Sequence, residues 1–185
     1  MTAQLQEDSL ALLQQLISIQ SFSREESQTA DAIVKFLADR NIKTHRKLNN
    51  IWAYNLHFDA AKPTILLNSH HDTVKPNPGY TRDPYAPEIE EGKLFGLGSN
   101  DAGGCLVSLI ATFLYFHDQE DLSYNLCLAA TAEEEISGVN GIECVLPELG
   151  EMEFAIVGEP TLMNLAIAER GLLVLDCTVH GRAGH

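Results

Sequence analysis

A chain of 185 residues, 45% of them hydrophobic, has enough apolar material for one packed domain and the start of a second. Its 12 basic and 26 acidic residues leave a net charge of −14 with histidines neutral. That sign repels phosphate backbones and anionic lipid, so nucleic acid and membrane surfaces are excluded as expected partners.

The first ten residues lack a basic stretch followed by an apolar run, so no signal peptide is expected and the cytoplasm is the expected compartment. Apolar residues Leu5, Leu12, Leu13, Leu16 and Ile17 keep helical spacing between Gln4 and Ile19. Ser23 followed by Glu26 has the form of a capping box, opening a second helix that buries Ile33, Val34, Phe36 and Leu37. Two short strands are expected near Lys43–Arg46 and Ile51–Asn55. The compact run Thr64–Asn68 after Pro63 reads as a strand buried on both faces. Five prolines and glycines between Lys75 and Gly92 imply a long, mostly irregular excursion. Leu106, Leu109, Ile110, Phe113 and Leu114 then mark a helix with one apolar face.

Asn125–Thr131 and Phe154–Val157 read as further buried strands, with a helix over Val139–Leu146 between them. This alternation predicts an α/β three-layer sandwich with a mainly parallel or mixed sheet, spanning residues 1–168. Beyond it, Leu172–Val179 alternates more strongly and is expected to be the first strand of a second, α+β lid or dimerisation domain over 169–185. Cys105, Cys127, Cys144 and Cys177 share no Cys-x-x-Cys spacing and have apolar neighbours, so buried free thiols are expected.

Chemistry-bearing residues cluster where the predicted strands end. The first buried strand runs into His70-His71-Asp72, the second into Glu133-Glu134-Glu135 and the third into Gly158-Glu159-Pro160. A glycine-rich segment, Gly96 to Gly104, carries Asp101 just before the long helix. Ligands of open α/β sheets bind outside the carboxyl ends of the strands, so these four groups are expected to converge. A lone His-x-Asp, a glutamate run or a Gly-Glu-Pro is usually a solvated surface feature; four together at strand ends point to a metal site. One imidazole and several carboxylates carry too much negative charge for one zinc ion, which suggests two cations sharing a bridging carboxylate. Of Glu134 and Glu135, one can then ligate while the other serves as general base. His71 points away from His70 along a strand and is expected to be structural.

These four motifs, in this order, resemble the acetylornithine deacetylase/succinyl-diaminopimelate desuccinylase family of two-zinc metallopeptidases. The resemblance implies that His70 and Glu159 hold one metal, Glu135 the other, and that Asp101 bridges. It implies zinc, or cobalt, as the metal, with Asp72 bonded to the far nitrogen of His70 and Glu134 as the base. The ending Val179 to His185 resembles the family's lid segment, whose last residue, His185, would stabilise an oxyanion in the partner of a homodimer. Ala102-Gly103-Gly104 departs from the family's usual Met-Lys-Gly, and Asn100 from a small hydroxyl or thiol residue. Family members continue for about as many residues again, so the piece is expected to be inactive alone. The implied substrate is a small N-acyl amino acid of the acetylornithine or acetylcitrulline type, acetylated or succinylated. A dipeptidase of the same family and a non-catalytic metal-binding module are the alternatives.

Overall fold

The computed structural model describes residues 2–168, 171, 173, 175, 177–182 and 184. Helix α1 spans Ala3–Ile17, with the Thr2 hydroxyl accepting the Leu5 amide at its start. Helix α2 spans Ser27–Ala38. Strands β1 (His45–Lys47), β2 (Asn50–Tyr54) and β3 (Thr64–His70) follow. Next come the hairpin strands β4 (Glu88–Glu90) and β5 (Lys93–Phe95), then α3 (Cys105–Phe116), β6 (Asn125–Thr131), α4 (Ile142–Leu149) and β7 (Phe154–Val157).

The main sheet has the order β1-β2-β6-β3-β7. Strand β3 runs parallel to both β6 and β7, whereas β2 is antiparallel to β6 and β1 to β2. The sheet is therefore mixed. Strand periodicity divides its side chains between two cores. Ile51, Ala53, Leu67, Leu126 and Leu128 face α1, α2 and α3, where Leu12, Ile33, Leu37, Ile110 and Phe113 are buried. Trp52, Leu66, Cys127 and Ala129 face α4, with Val145 and Leu149. Helices lie on both faces, giving three layers.

Several expectations need correction. Ser23 and Glu26 do not form a capping box: α2 begins one residue after Glu26, and its carboxylate accepts the Arg24 amide at 2.6 Å instead. Strand β7 is exposed along its whole length, because it ends the sheet and no described element covers it. The fourth helix starts at Ile142, leaving Val139 exposed, since Gly141 passes against the Ala132 carbonyl before the helix can form. The Lys75–Gly92 excursion leads into the β4–β5 hairpin, where Arg82 pairs with Glu88 and Glu90. All four cysteines are free, but only Cys127 is buried; Cys105 and Cys144 are half-buried and Cys177 is exposed. Among the described residues, no helix is long and apolar enough to cross a membrane. His185, together with Leu172, Val174 and Asp176 of the expected lid strand, lies outside the described residues.

Candidate metal centre

Parallel pairing brings the carboxyl ends of β6, β3 and β7 side by side. His70 is the last residue of β3 and is buried. Glu133, Glu134 and Glu135 follow β6, and Glu159 follows β7. Asp101 comes from the irregular Ser99–Gly104 loop ahead of α3, where Asp101 and Ala102 depart from helical dihedrals and their peptide bond is cis.

Around His70 the geometry is specific. Nε2 lies 3.2 Å from Asp101 Oδ1, 3.7 Å from Glu134 Oε2 and 3.9 Å from Glu159 Oε2. Ligand atoms of His70, Asp101 and Glu159 all fall within 4.8 Å of one another. Glu135 is not part of that tight group, but it is close enough to Asp101 for their charges to repel. On the other ring edge, Nδ1 is 3.0 Å from the Asp72 carbonyl and 3.3 Å from its Oδ1. The far nitrogen thus donates to the backbone of Asp72, with the expected carboxylate slightly further off. The proton sits on Nδ1, and Nε2 faces the carboxylates.

The electrostatics describe a site that wants cations. Burial raises the Glu135 carboxyl, and the Asp101 charge raises it further. Burial likewise raises Glu159; His70 opposes this, while Glu134, Asp101 and Glu135 add to it. Burial would lower His70, but Asp72, Glu159 and Glu134 outweigh it and push the imidazole up to about 9. In the metal-free protein a proton on Nε2 therefore takes the place of a cation among the carboxylates. An imidazole nitrogen and clustered carboxylate oxygens, with no thiolate, make a donor set that suits zinc, cobalt or manganese. The residues present fit such an ion.

Asp72 supports more than His70. Burial would raise its carboxyl, but the His70 imidazole, the Ser23 hydroxyl at 2.7 Å and the Glu134 amide hold it below the usual range. Oδ1 accepts the Glu134 amide at 3.1 Å and Oδ2 the Glu135 amide at 3.2 Å. Such backbone contacts leave no trace in residue spacing. His71 points the other way, as the strand pleat requires. Its Nε2 donates to the Asn49 carbonyl at 2.9 Å, Nδ1 lies 2.9 Å from a Thr29 hydroxyl shared with the Glu26 carbonyl, and burial, which pushes the ring down to about 4, keeps Nδ1 unprotonated. It carries a neutral ring and takes no part in the cluster. A concave space of about 530 Å³ opens beside the site, lined by His70, Glu134, Glu159 and the start of α4.

The family model described as "Peptidase family M20/M25/M40" matches residues 66–171. A succinyl-diaminopimelate desuccinylase from Buchnera aphidicola is 30% identical over 190 residues, covering 94% of this chain and 50% of that protein. The chain thus spans about half the length of the curated relatives it matches. Among solved structures, the M20 family metallo-carboxypeptidase Sso-CP2 from Sulfolobus solfataricus superposes with a TM-score of 0.66 at 21% identity, covering 81% of this chain and 37% of that one. The Bacillus subtilis YXEP protein, described as a dinuclear metal binding peptidase, superposes with a TM-score of 0.64 at 16% identity, covering 85% and 43%. The matched residues begin within β3 and take in His70, Asp72, Asp101, the Glu133–Glu135 triplet and Glu159, and the chain belongs to peptidase family M20/M25/M40.

Proposed function

We propose that this chain is the metal-binding part of a cytoplasmic amidohydrolase that removes an acyl group from the nitrogen of a small amino acid. The observation that carries this reading is the position of Glu134, whose carboxylate lies 3.7 Å from the same His70 nitrogen that faces Asp101 and Glu159. A non-catalytic metal module has no need of a free carboxylate so close to its ligands. His70 and Glu159 would hold one divalent cation and Glu135 a second, with Asp101 between them. Such cations, zinc or cobalt, supply Lewis acidity toward the scissile carbonyl and lower the pKa of water.

The chain's own residues then divide the work. Glu134 accepts the proton of the attacking water as its oxygen bonds to the acyl carbon. The same carboxyl returns that proton to the amine nitrogen as the C–N bond breaks, and the new carboxylic acid gives up its own proton to the released amine, so the products are a carboxylate and an ammonium. Asp72 holds His70 in one tautomer and fixes the backbone of Glu134 and Glu135. We further propose that residues from 169 onward begin a lid domain through which the protein forms a homodimer, with His185 reaching the partner's site to stabilise the oxyanion.

For the substrate, motif resemblance leaves an acetyl or a succinyl group on an amino acid of the ornithine or citrulline type, and the relatives named succinyl-diaminopimelate desuccinylase favour the succinyl group, on diaminopimelate. Peptidase activity is the second reading, supported by the metallo-carboxypeptidase likeness in fold. A chain extended to the length of these relatives, assayed on N-succinyl and N-acetyl amino acids and on dipeptides, decides among them. In that protein Glu134→Gln should keep its metal content and lose about 10²–10⁴-fold in kcat. Near-normal turnover with metal bound would place the base elsewhere.

A further inference from the structure

Three successive backbone amides in the acidic triplet are each held by a carboxylate. Glu134 and Glu135 donate to Asp72, and the Glu133 amide donates to Glu26 Oε1 at 3.2 Å. Glu26 sits more than one hundred residues earlier in the chain and is fully buried. Its partners are N–H groups: the Arg24 and Glu133 amides on Oε1, and the Asn49 side-chain amide at 2.8 Å on Oε2. A buried carboxylate without donors is costly; here three N–H donors satisfy it. The same short segment also supplies the Ser23 hydroxyl that donates to Asp72. It is tied alongside the turn that follows β3 by the Thr73 amide, which donates to the Ser21 carbonyl at 2.8 Å.

Glu133 has φ +55°, a left-handed conformation that non-glycine residues adopt uncommonly, and here it is buried rather than in an exposed turn. The turn it makes decides where Glu134 and Glu135 point. We infer that Glu26 is a positioning residue for this turn: a buried acceptor that anchors the Glu133 amide and so aims the base and the second-metal ligand. The inference rests on the roles proposed above for Glu134 and Glu135, but the anchoring itself can be read without them.

The test compares Glu26→Met, which keeps length and loses the acceptor, with Glu26→Gln, which keeps an acceptor oxygen if Asn49 turns its amide over. Hydrogen exchange is followed at the Glu133–Glu135 amides, and Co²⁺ is titrated as a visible-spectrum probe. In the Met variant these amides should exchange about tenfold faster or more, in line with losing one hydrogen bond to a charged acceptor, while the β3 and β6 amides stay protected. Its Co²⁺ spectrum should differ from the parent's, and the Gln variant should recover most of both signals. Unchanged exchange in the Met variant, or a Gln variant no better than Met, overturns the inference. If the Met variant does not fold, Glu26→Asp, one methylene too short to reach Glu133, takes its place with the same expected loss. A parent protein that gives no Co²⁺ spectrum would sink the proposed function instead, and exchange at Glu133–Glu135 would still decide the role of Glu26.

Discussion

His70 and His71 are adjacent in sequence and opposite in chemistry. Neighbouring carboxylates push His70 up to about 9, so below that pH a metal must displace a proton from it. Between pH 6 and 8.5 the affinity for Zn²⁺ or Co²⁺ should rise about tenfold per pH unit, measured by titration calorimetry in buffers of different ionisation enthalpy. A flat profile would remove His70 from the ligand set. His71 is driven the other way: burial lowers it to about 4, its hydrogen bond to Asn49 opposing only in part. Its neutral ring favours the folded state above the ordinary value near 6.5, and that contribution fades as pH falls from 6.5 toward 4. His70, raised to about 9 when folded and ordinary near 6.5 when unfolded, adds an opposite slope close to pH 6.5, but both proteins carry it and it cancels in the comparison. Urea unfolding of the metal-free parent should therefore lose up to about 1.4 kcal/mol per pH unit on acidification relative to His71→Gln. Parallel profiles for the two proteins would show that His71 is not held neutral.

At the level of elements, the Ser99–Gly104 loop explains a departure from the family pattern. Gly103 stands where relatives of this type usually carry lysine. A Cβ there would meet the Gly98 carbonyl oxygen at 2.5 Å and Leu13 Cδ1 at 2.7 Å. The Gly103 amide donates to that same carbonyl at 2.9 Å, closing the loop that presents Asp101. No side chain fits without moving the loop or α1. Gly103→Ala should cost about 1–3 kcal/mol in thermal or urea unfolding, in the range of overpacked core positions. It should also weaken Co²⁺ binding, because Asp101 shares the displaced backbone. A variant as stable as the parent would mean that the loop relaxes freely.

Across the molecule, the two faces of the sheet are covered unequally. Among the described residues, helices α1, α2 and α3 cover one side of the sheet and α4 the other. Strand β7 ends the sheet with Phe154, Ile156 and Val157 about half exposed. These relatives are about twice as long, and the proposed dimer adds a further requirement. If His185 works only in the partner's site, mixing Glu134→Gln with His185→Ala in chains of relative-like length should restore about half of the activity per mixed dimer, or about a quarter across a fully exchanged equimolar mixture, since one of the two sites in a mixed dimer keeps both groups. Absence of recovery after demonstrated subunit exchange would assign His185 to its own chain or to no catalytic role.

Much of this was legible in residue order. The apolar runs at Thr64–Asn68 and Asn125–Thr131 announced central strands, because a strand covered on both faces has no polar alternation to show. The groups His70-x-Asp72, Asp101, Glu133-Glu134-Glu135 and Glu159 pointed to one sheet edge, because parallel strands end on the same side. Other features depended on contacts that sequence spacing does not encode. Phe154–Val157 has the composition of a buried strand, and only its place at the end of the sheet leaves it exposed. Ser23 and Glu26 have the spacing of a capping box, yet their side chains turn away from α2 toward Asp72 and the Glu133 amide. A cap is a local competition among hydrogen bonds. Once the fold brings a distant strand end within reach, buried amides without another partner outbid the local one, and that outcome belongs to the tertiary structure alone.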